Sequence, residues 1–308
     1  MVRFRSVPKL SAAIAAALAL SAPAGAQTPP QPPAQTPGQT PAAAPAPVYT
    51  PTSLTPPPNL PRTPDGRPDF QSVVWAATFF PVCEASPMAA ALVVSEAEGK
   101  KMVDMMVAGM SKQAIFKIDP EAHEIIGNTD GLPLVRGERR SRTLVLPANG
   151  KLPMTPEARK EASSTDPLDG PLDNPEQRPI SERCVVLGAP PISATISYNR
   201  LRFIQTPSHV VVHTENGDDA RIVPFTGAHK PAGGPRSWLG DSIARWEGDT
   251  LVIETIRLPK ELRVRGLPTF IVSDEATVIE RITRLSEDEL LYQYTVVDPK
   301  VYTAPWLA

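Results

Sequence analysis

Trp238-Leu-Gly-Asp-Ser-Ile-Ala-Arg-Trp-Glu-Gly-Asp-Thr-Leu-Val-Ile-Glu-Thr255 decides the fold of this chain. Ser242–Trp246 and Thr250–Thr255 are short runs rich in apolar, β-branched and aromatic residues. Glu247-Gly248-Asp249 between them has turn chemistry, which predicts a β-hairpin. Gly248 supplies the positive φ a tight turn needs, and Asp249 can hydrogen-bond its own backbone there. In the return strand Leu251 and Ile253 point one way and Val252 and Glu254 the other. One face is therefore apolar and the other mixed.

Around the hairpin, the chain after Cys184 alternates strand-like runs with short turns. Arg200–Gln205, Val210–Glu215, Arg221–Phe225, Leu262–Arg265, Thr277–Leu285 and Leu290–Val297 are expected strands. Asn216–Asp219 and Ser286–Asp288 are turns between neighbours. Thr277, Ile279, Arg281, Thr283 and Leu285 share one parity; Leu290, Tyr292, Tyr294 and Val296 share one face of the last strand. Turns at this spacing without intervening helices predict a mainly β fold with one or two helices. The expected architecture is an antiparallel meander forming a sandwich or a partly closed barrel.

Before Cys184 the signals are mixed. Val73–Phe80 and Arg142–Leu146 have strand composition. Ser95-Glu-Ala-Glu98 is a capping box that opens a helix with Met102, Val103, Met106, Val107 and Met110 on one face. Five methionines between Met88 and Met110 suit packing against a sheet, or a soft thioether site. Thr155-Pro156-Glu157 starts a second, short helix. Ser163–Arg178 is a Pro- and Asp-rich loop whose acidic residues fit no calcium-loop spacing. Residues 61–180 thus form a helix-containing part and 181–308 the meander of one globular domain, 61–308.

The N-terminus carries an address. Arg3, Arg5 and Lys9 precede the apolar Leu10–Leu20, and Ala24-Gly25-Ala26 offers a cleavage site, so 1–26 is an expected signal peptide for bacterial export to the periplasm or medium. After cleavage no run approaches the ~20 apolar residues of a membrane span. Residues 27–60 are a Pro/Ala/Gln/Thr-rich linker of disordered composition, and fifteen of the chain's 38 prolines fall between Pro29 and Pro68. The net charge of −2 argues against a nucleic-acid partner, which requires a concentrated basic face. Arg136, Arg139, Arg140 and Arg142 form the only basic run, read as a solvated strand edge. Cys83 and Cys184 are the two cysteines. In an oxidising compartment they permit one disulfide or two buried thiols.

Asp65-Gly-Arg-Pro-Asp-Phe70, Arg142-Thr-Leu-Val-Leu-Pro147 with Gly150-Lys-Leu-Pro-Met-Thr-Pro156, Arg183-Cys184, Ile204-Gln-Thr-Pro207, Trp238 to Thr255, and Asp298-Pro-Lys-Val-Tyr-Thr-Ala-Pro-Trp306 stand in one order. Together they resemble a large family of exported bacterial proteins of no assigned activity, over essentially the whole mature domain. The resemblance implies export, and it carries over no cofactor and no catalytic residue. Members often place a His in the turn here occupied by Asn216–Asp219; this chain has Asp218 near that place.

The residues themselves offer candidates. His213 and Glu215 lie on one strand face ~6–7 Å apart, while His209 is ~13 Å from His213, too far to share a metal. His229 or Asp241 from a loop would be needed to complete a metal site, and no spacing demands one. Glu215 and Arg221 flank one turn, where a cross-strand ion pair is expected. Asp241, Arg245, Glu247 and Asp249 crowd the hairpin as carboxylates with an arginine, a set able to act as acid, base and anion clamp. Trp238, Trp246, Tyr302 and Trp306 are aromatic anchors, and Trp238, Arg221, Tyr302 and Trp306 are the candidate ligand-binding residues. The aromatic faces suit a sugar or apolar ligand, or equally the lid of the core. No nucleophile elbow, phosphate loop or zinc-helix motif is present. Three readings follow. The first is a non-catalytic domain binding a small apolar or sugar-like ligand, with no cofactor. The second is a hydrolase or isomerase using His213, Glu215, Asp241 and Arg245. The third is an envelope interaction or structural module.

Overall fold

The computed structural model describes residues 59–76, 83–87, 89–110, 132–164, 190–192, 200–215, 219–231, 234, 236–259, 263–264 and 270–308. Contacts divide the chain into Met1–Ala42 and Ala43–Ala308, and every described residue lies in the second unit. The expected signal peptide, Met88, Cys184, most of the acidic loop and the Asn216–Asp218 turn fall outside the described residues.

In chain order the elements are β1 (Trp75–Ala76), α1 (Glu96–Met110), β2 (Leu134–Val135), β3 (Glu138–Arg139), α2 (Pro156–Ser164), β4 (Arg200–Gln205) and β5 (His209–Thr214). There follow β6 (Asp219–Pro224), β7 (Asp241–Glu247), β8 (Thr250–Ile256), β9 (Arg263–Val264), β10 (Phe270–Ile271), β11 (Thr277–Arg284), β12 (Leu290–Val297) and β13 (Trp306–Leu307). One sheet has the order β1-β4-β5-β6 and the other β13-β12-β11-β8-β7, both antiparallel. β2-β3 and β9-β10 are separate two-stranded ribbons. Neither large sheet closes on itself, so the architecture is a sandwich and not a barrel. The Leu262–Arg265 expectation survives only as β9, outside the meander.

The deciding hairpin forms as its sequence requires, with Glu247 opposite Thr250 and Gly248 at φ +60°. It does not occupy the middle of its sheet, because β7 is the edge strand. Period-two alternation builds the inner face of the five-stranded sheet in cross-strand rows. Ser242, Thr255, Val278, Val296 and Trp306 make the first, Ala244, Ile253, Glu280 and Tyr294 the second, and Trp246, Leu251, Ile282 and Tyr292 the third. The inward parity of β11 is therefore that of Val278, Glu280 and Ile282, opposite to the Thr277–Leu285 set.

Two different layers cover these rows. Phe203, Val210, Val212 and Val223 of the four-stranded sheet pack with Phe70 and Trp75 on Leu251, Ile253 and Ile282. Ala158 of α2, with Leu144, Leu152 and Leu258, packs on Val278, Val296 and Trp306. Glu280 sits where the two cores meet.

α1 has the expected capping box. Ser95 N donates to Glu98 Oε2 at 2.8 Å, and Glu98 N to Ser95 Oγ at 3.3 Å. Its Met102 and Val103 bury in a small separate cluster with Ala89 and Leu132, not against a large sheet. Thr155 caps α2, accepting from Ala158 N at 3.1 Å. Arg142–Leu146 is not a ladder strand. Its backbone bonds go to unrelated partners, Leu144 N to Cys83 O at 3.0 Å and Val145 N to Leu307 O at 2.8 Å. The basic run is not a solvated edge either. Arg140 and Arg142 are each 4% exposed, Arg140 paired with Glu138 and Arg142 donating to Ala90 O at 3.0 Å. Burial, then the neighbouring Arg140 charge, lowers the Arg142 pKa.

Gly240 explains the Leu-Gly-Asp step that leads into β7. It has φ +75°, and a Cβ there would stand 2.7 Å from Thr255 Cγ2 and 2.9 Å from Ile256 O. Gly240→Ala is expected to destabilise the domain by about 2–4 kcal/mol, combining αL strain with a backbone clash. Gly248→Ala, at φ +60° with open space around it, should cost about 1 kcal/mol. Urea denaturation of both variants checks the contrast, and equal losses would contradict the packing account.

Candidate functional site

Motifs far apart in sequence meet at one edge of the sandwich. Asp65-Gly66 makes a turn in which Gly66 has φ +83° and donates to Thr63 O at 2.8 Å. Gln205 clamps the following stretch, accepting from Phe70 N at 2.6 Å and donating to Pro68 O at 2.9 Å. Arg62 grips the hairpin turn with a two-pronged bond to Asp249, at 3.0 and 2.7 Å. Between these segments lies an open groove of about 730 Å³, within the range of small-ligand sites.

Its floor is an aromatic strip. The half-buried Trp246 and Phe225 rings are stacked with centroids 6.4 Å apart and planes at 23°. Phe70 meets Trp246 from the core at 5.6 Å, and the Arg67 guanidinium stands 5.6 Å from the indole centroid. Asp65, Arg67, Gln71, Thr206 and Arg245 supply the polar lining. Thr206 Oγ1 is spent internally, donating to His209 O at 3.0 Å. Asp65, Arg67 and Gln71 are exposed and retain hydrogen-bonding capacity.

Electrostatics at the turn follow from the arginines. Arg62 holds the Asp249 carboxyl below its ordinary value, chiefly by hydrogen bonding, and the Arg67 charge contributes. Partial burial works to raise Glu247, but bonds from Arg281 and Arg245 prevail and its pKa is lowered.

The other candidates do not converge on one place. Glu215 pairs with Arg200 at 3.2 Å, so the expected Glu215–Arg221 pair does not form. Parity decides it: Arg221 sits opposite Val212 on the inner face of β6, while Glu215 is exposed. His213 is opposite Arg202 and Ala220, on the outer face of the same sheet. Asp241 and Glu247 stand at opposite ends of β7, so the four hairpin charges do not crowd together. Asp241 accepts from Lys230 N at 2.9 Å and lies 3.5 Å from His229 Nδ1, whose Nε2 is 3.2 Å from Glu254. Among the described residues no three His, Cys, Asp or Glu side chains are gathered to hold a metal ion.

Of the aromatic candidates, Trp306 and Tyr302 are core residues, 0% and 2% exposed, with rings edge-on at 5.6 Å. Burial drives the Tyr302 hydroxyl far above its usual pKa, and it donates to Ile271 O at 2.9 Å. Trp238 is exposed, outside the groove lining. Cys83 carries a free thiol whose pKa burial pushes up to about 11; Cys184, the other cysteine of the chain, lies outside the described residues.

Arg221 reaches across the sandwich to Glu280 at 2.5 and 2.9 Å, both side chains almost wholly buried. Tyr292 Oη donates to Glu280 at 2.8 Å and accepts from Ile192 N at 2.8 Å. Burial opposes the Arg221 charge, but Glu280 outweighs it and raises the pKa. Sequence reasoning missed Glu280, although its parity with Val278 and Ile282 marks an inward carboxylate. It also missed Arg67, Phe225 and Trp246 as one site.

Fold and groove together define an antiparallel β-sandwich with an aromatic-floored cleft at its edge. Comparison with protein-family models, curated proteins and solved structures finds no match.

Proposed function

We propose that this is an exported β-sandwich that binds a small sugar-like ligand in the groove, without catalysis. The observation that carries the reading is the half-buried Trp246, stacked with Phe225 at the floor of a cleft whose rim keeps free polar groups. Flat aromatic faces match the C–H surfaces of sugar rings, while Asp65 and Gln71 can meet hydroxyls; the polar rim favours a sugar over a purely apolar ligand. A hydrolase or isomerase built on His213, Glu215, Asp241 and Arg245 draws no support from their scattered placement.

One feature favours the interaction-module reading. Ile204, Val211 and Ile222 form a cross-strand row on the outer face of the four-stranded sheet, with Ile222 66% exposed. No helix among the described residues is long and apolar enough to cross a membrane.

Calorimetric titration of the mature protein with neutral and acidic mono- and disaccharides tests the reading. Saturable binding is expected, weakened about tenfold in Trp246→Leu, which keeps an apolar side chain against Phe70. No saturable response to any sugar up to about 10 mM would overturn it.

A further inference from the structure

Charge around the groove is unbalanced, and the imbalance bears on what the groove takes. Arg62 uses both oxygens of Asp249, and Glu247 is shared by Arg245 at 2.8 Å and Arg281 at 2.8 Å. Asp65 Oδ1 accepts the Thr63 hydroxyl at 2.5 Å. Four arginines, counting Arg67, thus stand against three carboxylates. Among the described residues Arg67 makes no ion pair: its guanidinium carbon stands 5.6 Å from the Trp246 ring centroid, and its charge acts on Asp249 only at longer range. A π contact positions a guanidinium without consuming its N–H donors, so the fork stays available to an oxygen pair.

The available groups therefore comprise an aromatic strip, one unpaired guanidinium, and the polar ends of Asp65 and Gln71. Gln71 Oε1 already accepts from Gln205 N at 3.2 Å, which fixes the amide and leaves its NH2 to donate. A planar carboxylate matches a single guanidinium bidentately and carries one negative charge, equal to the surplus. A phosphate dianion would bring more charge than the rim offsets.

Resting on the sugar-site reading, we infer that the groove selects a sugar ring bearing a carboxylate, a uronic acid. The ring lies along the Phe225–Trp246 strip, the carboxylate meets Arg67, and the hydroxyls reach Asp65 and Gln71.

Calorimetric titration with glucuronate, glucose and benzoate separates the possibilities, using the mature protein and its Arg67→Gln and Arg67→Lys variants. Arg67 is exposed, so both variants should fold, and circular dichroism verifies it. Glucuronate is expected to bind about tenfold tighter than glucose. That advantage should shrink with added salt, disappear in Arg67→Gln, and return only in part in Arg67→Lys, which lacks the fork. Equal binding of glucose and glucuronate would overturn the acid-specific inference and leave the sugar site standing. Benzoate binding as tightly as glucuronate would overturn the assignment of a sugar ring. Binding of none of the three would overturn the inference, and failure across the whole saccharide panel would remove the sugar-site reading with it.

Discussion

Glu280→Gln is expected to destabilise the domain by about 3–5 kcal/mol, the loss typical of stripping one partner from a buried ion pair. The carboxylate lies at the junction of the two cores, 0% exposed, and Arg221 is 4% exposed. With the charge of Glu280 gone, a guanidinium would remain inside the sandwich with, among the described residues, only Thr255 Oγ1 at 3.4 Å and a neutral amide. Arg221→Met leaves the converse, a buried carboxylate with the Tyr292 hydroxyl as its remaining donor, and should cost a similar amount. The double variant Arg221→Met with Glu280→Leu should recover most of the loss, because two desolvated charges are replaced by apolar volume. A residual cost of about 1–2 kcal/mol is expected from the Tyr292 hydroxyl, which loses its acceptor. Urea unfolding of the three variants measures each single loss and the recovery in the double; single losses below about 1 kcal/mol would contradict the buried-pair account.

Trp306→Ala should cost about 3–5 kcal/mol, comparable to the ion pair but by a different route. The indole is 0% exposed and meets Tyr294 and Tyr302 edge-on at 5.7 and 5.6 Å. It also anchors β13, whose Leu307 N donates to Leu146 O at 3.0 Å, so the C-terminal strand and the Leu144–Leu146 segment depend on it together. Trp306→Phe keeps most of the ring contact and should lose about half as much or less. Thermal unfolding by circular dichroism distinguishes the two, and equal losses would mean that ring volume is not what matters there.

Much of the β architecture was legible because its cause is local. Arg200–Gln205 and Leu290–Val297 are the observed β4 and β12, since alternation, β-branching and flanking turns act within a few residues. Ser95–Glu98 and Thr155 cap their helices for the same reason. What sequence did not disclose was pairing across distance. Adjacency across a turn matches Arg221 with Glu215, whereas its partner lies 59 positions away on the other sheet. Strand composition in Arg142–Leu146 gave no warning that its backbone would be divided among Cys83 and Leu307. The groove was hidden in a similar way. Its motifs were conspicuous one by one, but only docking of Arg62–Phe70 against Gln205 and Asp249 makes them a single wall.

That docking has a consequence for how the molecule assembles. Phe70 reaches Gln205 across 135 positions, and Arg284 reaches Asp69 O across 215. Hairpins such as β7–β8 and β11–β12 can close by themselves, but loops this long carry a large closure entropy and place the fold among the slower topologies. The groove wall is the earliest described stretch to be synthesised, yet its partners Gln205 and Arg284 come 135 and 215 positions later, so the cleft cannot be completed until they are available.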